Sequence, residues 1–352
     1  MAGTTTESGH ELVEVPKPEL EGLERHFTPW ADGLLRLRPG HWLFPGAFAE
    51  TADKIYNFRW KEEDVVVAGF LKTGTTWLQE ILWTMRNNPN LDHPLANTPI
   101  LDRVPIIDTD MYINPKAFRS VTSNHPLKPM LDDFKRKCPD GEATRGIYIQ
   151  MAGVLPEPRA LKTHYPFSVL HPDLLEHTKC VYIARNPRDV VVSLHHMSRL
   201  FKYNNYSGTL EQFVDYFIDG DVVQGPYWLH VKEAWEKRNH PNLHFLFYED
   251  LRSDVMKELR RLNEFLGTNL TSEQLANVER YTSFGEMQSR NNFTNTKRPD
   301  NPGVKKEVEN REGGFFRKGV TGSWSSTLTP DMVEKIDKWT KKHLSEIPFR
   351  YN

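Results

Sequence analysis

Val65-Val66-Val67-Ala68-Gly69-Phe70-Leu71-Lys72-Thr73-Gly74-Thr75-Thr76-Trp77 decides the fold of this chain. A β-branched run stops at a turn of small residues, and Trp77, Leu78, Ile81, Leu82 and Met85 then recur at helical spacing. A strand, a tight loop and a helix N-terminus in succession make an anion site. The first helical turn leaves backbone N–H groups unpaired, and the helix dipole adds positive potential. Lys72 adds a full charge and the threonine hydroxyls add donors, so the stretch predicts a bound phosphate or sulfate ester. Trp77, just inside the helix, is placed to stack on a purine. Gly69 and Gly74 keep the gap of a nucleoside-triphosphate P-loop, but that motif needs Lys-Ser/Thr directly after the second glycine. Here Thr75-Thr76 fill the place and the lysine lies inside the loop, which argues against ATP hydrolysis and kinase chemistry. On this segment alone, a plain strand-to-helix connection remains open.

The alternation continues outward. Lys179-Cys180-Val181-Tyr182-Ile183-Ala184 and His244-Phe245-Leu246-Phe247-Tyr248 read as buried strands. Val255, Leu259, Leu262 and Leu266 then mark a helix face, with Gly267 as its C-cap. Such a pattern predicts one α/β domain: a central parallel sheet flanked by helices, with ligands at the carboxyl ends of the strands. The 352 residues suffice for a sizeable core. Residues 1–25 are polar and acidic and are expected to be a flexible tail, leaving residues 26–352 as the domain. Lys plus Arg number 45 against 47 Asp plus Glu, so no global field attracts nucleic acid or an acidic membrane. No signal-peptide layout and no apolar run near the ~20 residues of a membrane span occur, and two cysteines give no disulfide framework. A cytoplasmic setting is expected.

Two further motifs follow in order. After the strand through Val181 comes Arg185-Asn186-Pro187-Arg188-Asp189-Val190-Val191-Val192-Ser193. Asn186 can cap the next helix and Pro187 suits its first turn. Arg185 then stands at a strand's carboxyl end with Ser193 two turns into the helix. Near the C-terminus, Phe315-Phe316-Arg317-Lys318-Gly319-Val320-Thr321-Gly322-Ser323-Trp324 carries two adjacent cations beside a glycine. Taken singly, these read as a capped helix and a basic turn. Residues 289–314 are polar and rich in Asn, Pro and Gly, and are expected to form a loop ordered by a ligand that gates its release.

Together the three motifs resemble the cytosolic sulfotransferases, and the resemblance spans roughly residues 45–350. The first is similar to that family's Pro-Lys-Ser-Gly-Thr-Thr-Trp loop, a P-loop-like phosphosulfate site, with Leu71 for the proline and Thr73 for the serine. The third is similar to Arg-Lys-Gly-x-x-Gly-Asp-Trp, with Ser323 for the aspartate. The resemblance implies the sulfuryl donor 3′-phosphoadenosine 5′-phosphosulfate (PAPS), with 3′,5′-adenosine bisphosphate as product and no metal required. It implies that Lys72, Thr73, Gly74, Thr75, Thr76 and Trp77 hold the 5′-phosphosulfate side, and that Arg185, Ser193, Arg317, Lys318 and Gly319 hold the 3′-phosphate. Tyr248, Thr282, Phe284 and Met287 would line the adenine.

Catalysis needs a base, and Leu161-Lys162-Thr163-His164-Tyr165-Pro166 offers one: on a strand, Lys162 and His164 alternate onto one face. Sulfuryl transfer resembles in-line phosphoryl transfer with a loose transition state, where positioning and charge do most of the work. His164 is expected to take the acceptor's proton, with Lys162 and Lys72 stabilising the moving group and the departing phosphate; Ser193 completes the catalytic set. The acceptor pocket of the family implies Ile106, Tyr148 and Met197 alongside Lys162 and His164. Ile106 and Thr109 stand where phenol-handling relatives carry phenylalanines, which favours an aliphatic or bulky hydrophobic acceptor with a hydroxyl or amine. Residues 101–159 are longer than in vertebrate members, as in insect relatives that include the retinol dehydratases, which eliminate the sulfonated alcohol. Xenobiotic or hormone metabolism is the implied setting. The family's dimer motif, Lys-x-x-x-Thr-Val-x-x-x-Glu, would fall on residues 325–334, where Ser325 and Pro330 replace its lysine and valine. It therefore does not predict that homodimer. His195-His196 point apart on a helix and are poor joint metal ligands. The competing readings are a P-loop nucleotide kinase, which would need Lys after Gly74, and a silent nucleotide binder, which should lack His164 or Lys72.

Overall fold

The computed structural model describes residues 4–28, 30–290, 303–317 and 319–344. Among them, eight strands form two sheets. Thr4–Thr5 (β1), Glu11–Glu14 (β2), Leu34–Arg38 (β3) and Trp42–Pro45 (β4) make an antiparallel sheet in sequence order. Val65–Ala68 (β5), Ala160–Thr163 (β6), Lys179–Ala184 (β7) and Leu243–Phe247 (β8) make a parallel sheet of order β6-β5-β7-β8.

Burial on both faces explains why β5 and β7 read as continuous apolar runs. Val66, Ala68, Cys180 and Tyr182 face the large core that also holds Leu37, Trp42 and Phe44 of the antiparallel sheet. Val65, Val67, Val181 and Ile183 face Leu78, Ile81 and Leu82 of the Thr75–Asn87 helix and Leu259 and Leu262 of the Val255–Leu266 helix. The latter helix ends on Gly267 in the left-handed region, as its sequence predicts. Parallel strands share one direction, so four carboxyl ends open on the same edge. β5 runs into the 69–74 loop, β6 into His164, β7 into Arg185 and β8 into Tyr248.

Two expectations are corrected. Residues 1–25 do not form a loose tail where they are described: β2 pairs with β3, and Leu12, Val15 and Leu23 are buried. Three apolar side chains spaced among acidic ones are enough to fasten a short strand and helix. The polar stretch 289–314 is also not all loop. Its first residues end the Phe284–Arg290 helix, and Lys306–Glu312 is helical. That second helix buries Val308 and holds Glu312 against Arg199 through paired hydrogen bonds of 2.7 and 2.8 Å. No described helix is long and apolar enough to cross a membrane.

Candidate active site

A cavity of about 610 Å³ lies over the carboxyl edge of the parallel sheet. Its walls come from the 71–77 loop and helix, the ends of β6, β7 and β8, residues 101–148, the Pro187–Leu200 helix and the 315–323 segment.

The 69–74 loop shows why glycine and lysine stand where they do. Gly74 caps the Thr75–Asn87 helix at φ 107°, and a Cβ there would lie 2.5 Å from the Tyr248 ring. Both the backbone and the neighbour demand glycine. Lys72 itself has φ 66°, a left-handed conformation that costs an ordinary residue roughly 1–2 kcal/mol. Its carbonyl accepts from the Arg185 guanidinium at 3.3 Å, and its ammonium lies 4.1 Å over the Phe315 ring. Arg185 also donates to the carbonyl of Val320 at 3.0 Å and stacks 4.2 Å over Tyr248, while its Nε is buried with no partner. The Asn186 side chain caps the Pro187–Leu200 helix by accepting from the N–H of Arg188.

The 315–324 segment is tied to that same helix by Asp189. Its carboxylate accepts from the N–H of Gly322 at 2.8 Å, the Ser323 hydroxyl at 3.1 Å and the N–H of Trp324 at 3.2 Å. Gly319 sits at φ 61° with its Cα against Phe284; a Cβ would meet that ring at 2.2 Å. Trp77 packs edge-on to Tyr248 at 5.8 Å, and its indole N–H is buried without a partner.

On the β6 side, Lys162 is 2 % exposed and its ammonium donates to Thr76 Oγ1 and Gln79 Oε1, each at 3.3 Å. Its backbone N–H donates to the carbonyl of Pro105 at 2.9 Å, and the isolated parallel bridge between Ile106 and Lys162 sets those two residues side by side. His164, 7 % exposed, bonds through Nδ1 to the carbonyl oxygen of Gly69 at 2.7 Å. A carbonyl only accepts, so Nδ1 carries the proton and Nε2 keeps its lone pair. The backbone N–H of His164 donates to Asp108 Oδ2 at 2.6 Å, and the Thr163 hydroxyl donates to Oδ1 at 2.9 Å.

Burial and crowding set the charges. Burial, then the cations of Arg185, Lys162 and Arg317, push Lys72 down to about 7. Burial pushes Lys162 down to about 7 against the opposing pull of Asp108. Burial, followed by the charge of Lys162, holds His164 well below its ordinary value, so its imidazole is neutral near pH 7. Burial also raises Asp108 to about 6. Lys72, Lys162, Arg185 and Arg317 thus face one cavity, with an orphaned Arg185 Nε among them. That donor set and the close-packed glycines fit an elongated polyanion carrying an aromatic base.

Most of the residues singled out from sequence meet here. Lys72, Gly74, Thr75, Thr76, Trp77, Ile106, Tyr148, Lys162, His164, Arg185, Ser193, Met197, Tyr248, Phe284, Met287, Arg317 and Gly319 all line the cavity. Thr73 and Thr282 do not: both are fully buried, and their hydroxyls donate at 2.8 Å to the carbonyls of Phe70 and Val278. Each hydroxyl completes its own turn. Lys318 lies outside the described residues, as do residues 291–302. Asp108, Asp189, Tyr112, Ile113, Met130, Phe201 and Tyr203 were missed. Asp189 had a local signal, an acid four residues after Arg185 at a helix start; the others belong to segments with no motif. Among the described residues no cluster of His, Cys, Asp and Glu is arranged to hold a metal ion.

Comparison with known proteins gives one answer. A family profile described as "Sulfotransferase domain" matches residues 62–348. Sulfotransferase 1A1 of Rattus norvegicus is 32 % identical over 309 residues, covering 86 % of this chain and 92 % of that protein. Cytosolic sulfotransferase 13 of Arabidopsis thaliana is 29 % identical, with coverage of 97 % and 95 %. Among solved structures, retinol dehydratase in a complex with retinol and PAP superimposes with a TM-score of 0.83 at 29 % identity, covering 97 % of this chain and 99 % of that one. The chain belongs to the sulfotransferase family.

Proposed function

We propose, with that membership as the premise, that this PAPS-dependent sulfotransferase moves the sulfuryl group to a hydroxyl or amine of a small hydrophobic acceptor, with His164 as general base. The observation that carries the reading is the convergence, in one cavity, of five cationic side chains, Lys72, Lys162, Arg185, Arg252 and Arg317, and a neutral imidazole whose tautomer is fixed. When bound, PAPS supplies an activated sulfuryl group on a phosphate leaving group. The cavity's glycines and the Trp77, Tyr248 and Phe284 rings give room and stacking surface for its base, and Arg185, Ser193, Arg317 and Gly319 are assigned to its 3′-phosphate. The same assignment extends to Lys318, by its place beside Arg317 in the sequence. Lys72 and the first turn of the Thr75–Asn87 helix hold the phosphosulfate end. Thr73 contributes there through its backbone, since its hydroxyl is turned away.

Nε2 of His164 takes the acceptor's proton, and burial keeps it free to do so near neutral pH. Lys162, anchored by Thr76 and Gln79 in the cavity wall, would stabilise the charge of the sulfuryl group. These cations supply the charge that a metal supplies elsewhere, so turnover is expected to survive chelation. For the acceptor, Ile106, Ile113, Met130, Tyr148 and Met197 provide an uncharged wall, which supports a hydrophobic molecule. Retinol and androsterone are bound by retinol dehydratase in its solved complexes and are the first acceptors to try here. The Arabidopsis relative named as cytosolic supports a cytoplasmic setting, and the altered residues Ser325 and Pro330 support a protein that does not use the family's dimer contact.

The experiment is release of 3′,5′-adenosine bisphosphate from PAPS, with and without EDTA, across phenols, steroids, aliphatic alcohols and amines. Turnover that vanishes in His164→Ala while nucleotide binding persists supports the reading. Failure to bind the bisphosphate at all would sink it.

A further inference from the structure

Asp108 stands on the cavity wall but belongs to neither the cationic donor set nor the apolar acceptor wall. It is 1 % exposed and sits in the Ile107–Tyr112 turn, opposite the end of β6. Its two oxygens accept from the Thr163 hydroxyl, the His164 backbone N–H and, at 3.3 Å, the Gln224 amide. The first two donors bracket the point at which β6 stops. Beyond Thr163 the chain could leave the strand in any direction, and with it the imidazole would leave the cavity. The carboxylate fixes that exit, and the carbonyl of His164 is held from the other side by His230 Nε2 at 3.0 Å.

The charge matters as well as the shape. A solvated scaffold residue could be neutral, but here a carboxylate is buried in the wall of the same cavity as a buried lysine, Lys162, whose direct partners Thr76 and Gln79 are uncharged. The other titratable groups facing Asp108 are Tyr112 on its own turn and His164 and Tyr165 on the β6 exit; His230 reaches the same exit from the Tyr227–Glu236 helix. Lys162 is the cation among them that acts on it.

We propose that Asp108 is the positioning residue of the catalytic strand end: its carboxylate aims His164 and Lys162 at the cavity together, and its negative charge is the counter-charge of Lys162. This rests on the roles given above to those two residues. Asp108 acts through His164 and Lys162, by way of the bonds it accepts from the His164 backbone and the Thr163 hydroxyl.

The sign of the linkage separates this role from a merely structural one. Burial raises the folded pKa of Asp108 from its ordinary 3.8 to about 6. Its contribution to stability is present below the unfolded value and is lost as pH rises through about 6. At pH 7.5 the ionised carboxylate is therefore a cost to folding that serves the site.

The test is the pH profile of kcat at saturating donor and acceptor, with thermal melting, for Asp108→Asn, Asp108→Glu and Thr163→Val. Asp108→Asn is expected to lower kcat at pH 7.5 roughly 10- to 100-fold, as a sub-ångström loss of aim does. Its alkaline limb should move to lower pH, because Lys162 loses the charge that holds its proton, while the melting temperature does not fall. Asp108→Glu should keep the limb in place. Thr163→Val keeps the carboxylate and removes one donor to its ionised form, so the acid limb should move to higher pH; it decides the matter if the asparagine variant does not fold. Unmoved limbs in the folded variants would overturn the proposal, whatever the rate. His164→Ala and Lys162→Ala run in parallel: if both keep wild-type turnover, the roles assigned to the site fail, and if both lose it while the limbs stay put, only the role of Asp108 fails.

Discussion

At the end of the cavity proposed to take the donor, Lys72, Arg185 and Arg317 crowd within one wall, and burial combines with like charge to depress Lys72. At the end proposed to take the acceptor, Ile106, Ile113, Met130, Tyr148 and Met197 present no charge, and the Tyr112 and Tyr203 rings meet at a tilt with centroids 5.3 Å apart. The donor end is held by hydrogen bonds to backbone, Arg185 to Lys72 and Val320, and Asp189 to the 322–324 turn. The acceptor end is held by packing of a separate small core, Phe118, Leu131, Phe134 and Ile147, fastened where Asp110 accepts from the N–H groups of Ile147, Tyr148 and Ile149. Directional bonds around charges specify one ligand shape; apolar packing tolerates several. The difference teaches that donor recognition and acceptor choice can be varied separately, with Lys162 and His164 at the seam.

The seam should show the largest effect. His164→Ala is expected to lower kcat by about 10²–10⁴-fold while bisphosphate affinity, measured by calorimetry, stays within about twofold. A matching loss of nucleotide binding would mean that the two ends are not separable. Next comes the donor end. Arg185→Ala removes charge-assisted hydrogen bonds worth about 1.5–3 kcal/mol, so the KM for PAPS should rise roughly 10- to 100-fold with the order of acceptor preference unchanged. Acceptor preference that changes as well would break the comparison.

A smaller effect belongs to the acceptor end. Ile106→Phe narrows the cavity beside Lys162 and is expected to shift preference several-fold, on the order of 1 kcal/mol, toward small flat phenols, leaving the KM for PAPS unaltered. Equal losses across bulky and flat acceptors would count against Ile106 as a selector. The smallest signal is a proton. Lys72 and Lys162 lie near 7 in the ligand-free protein, and a polyanion stabilises both ammonium forms. Bisphosphate binding at pH 7.5 should therefore take up protons, read as a binding enthalpy that depends on the buffer's ionisation heat. Proton release would reverse the assigned electrostatics.

The donor end was the more legible half because its parts are local. Gly74 is needed at a turn within its own loop, Asn186 caps a helix that begins one residue later, and Lys72 stands between the glycines of one motif. Such constraints act over a few residues and leave a pattern. Thr73 and Thr282 show the limit even there: a hydroxyl in the right motif can be used on a carbonyl three or four residues back. Tyr112, Met130 and Tyr203 reach the acceptor end from segments far apart in the chain, and nothing near them in sequence announces it. The N-terminal residues misled for a related reason. Leu12, Val15 and Leu23 are too few to make a periodic signal, yet β3 supplies a paired edge that makes them enough.

The sequence by itself determined the α/β alternation and the strand–loop–helix at Gly69 to Trp77, because strand and helix periods and turn chemistry are set by neighbours along the chain; the strand on which Lys162 and His164 are expected to alternate stops at Thr163, one residue before the imidazole. Only the tertiary structure decided what that imidazole can do. Gly69 fixes its tautomer across β5, Asp108 fixes its backbone from a distant turn, and burial by the whole domain keeps it neutral. Those are contacts between residues 56 and 95 positions apart, and a side chain's proton affinity depends on the field of everything packed around it.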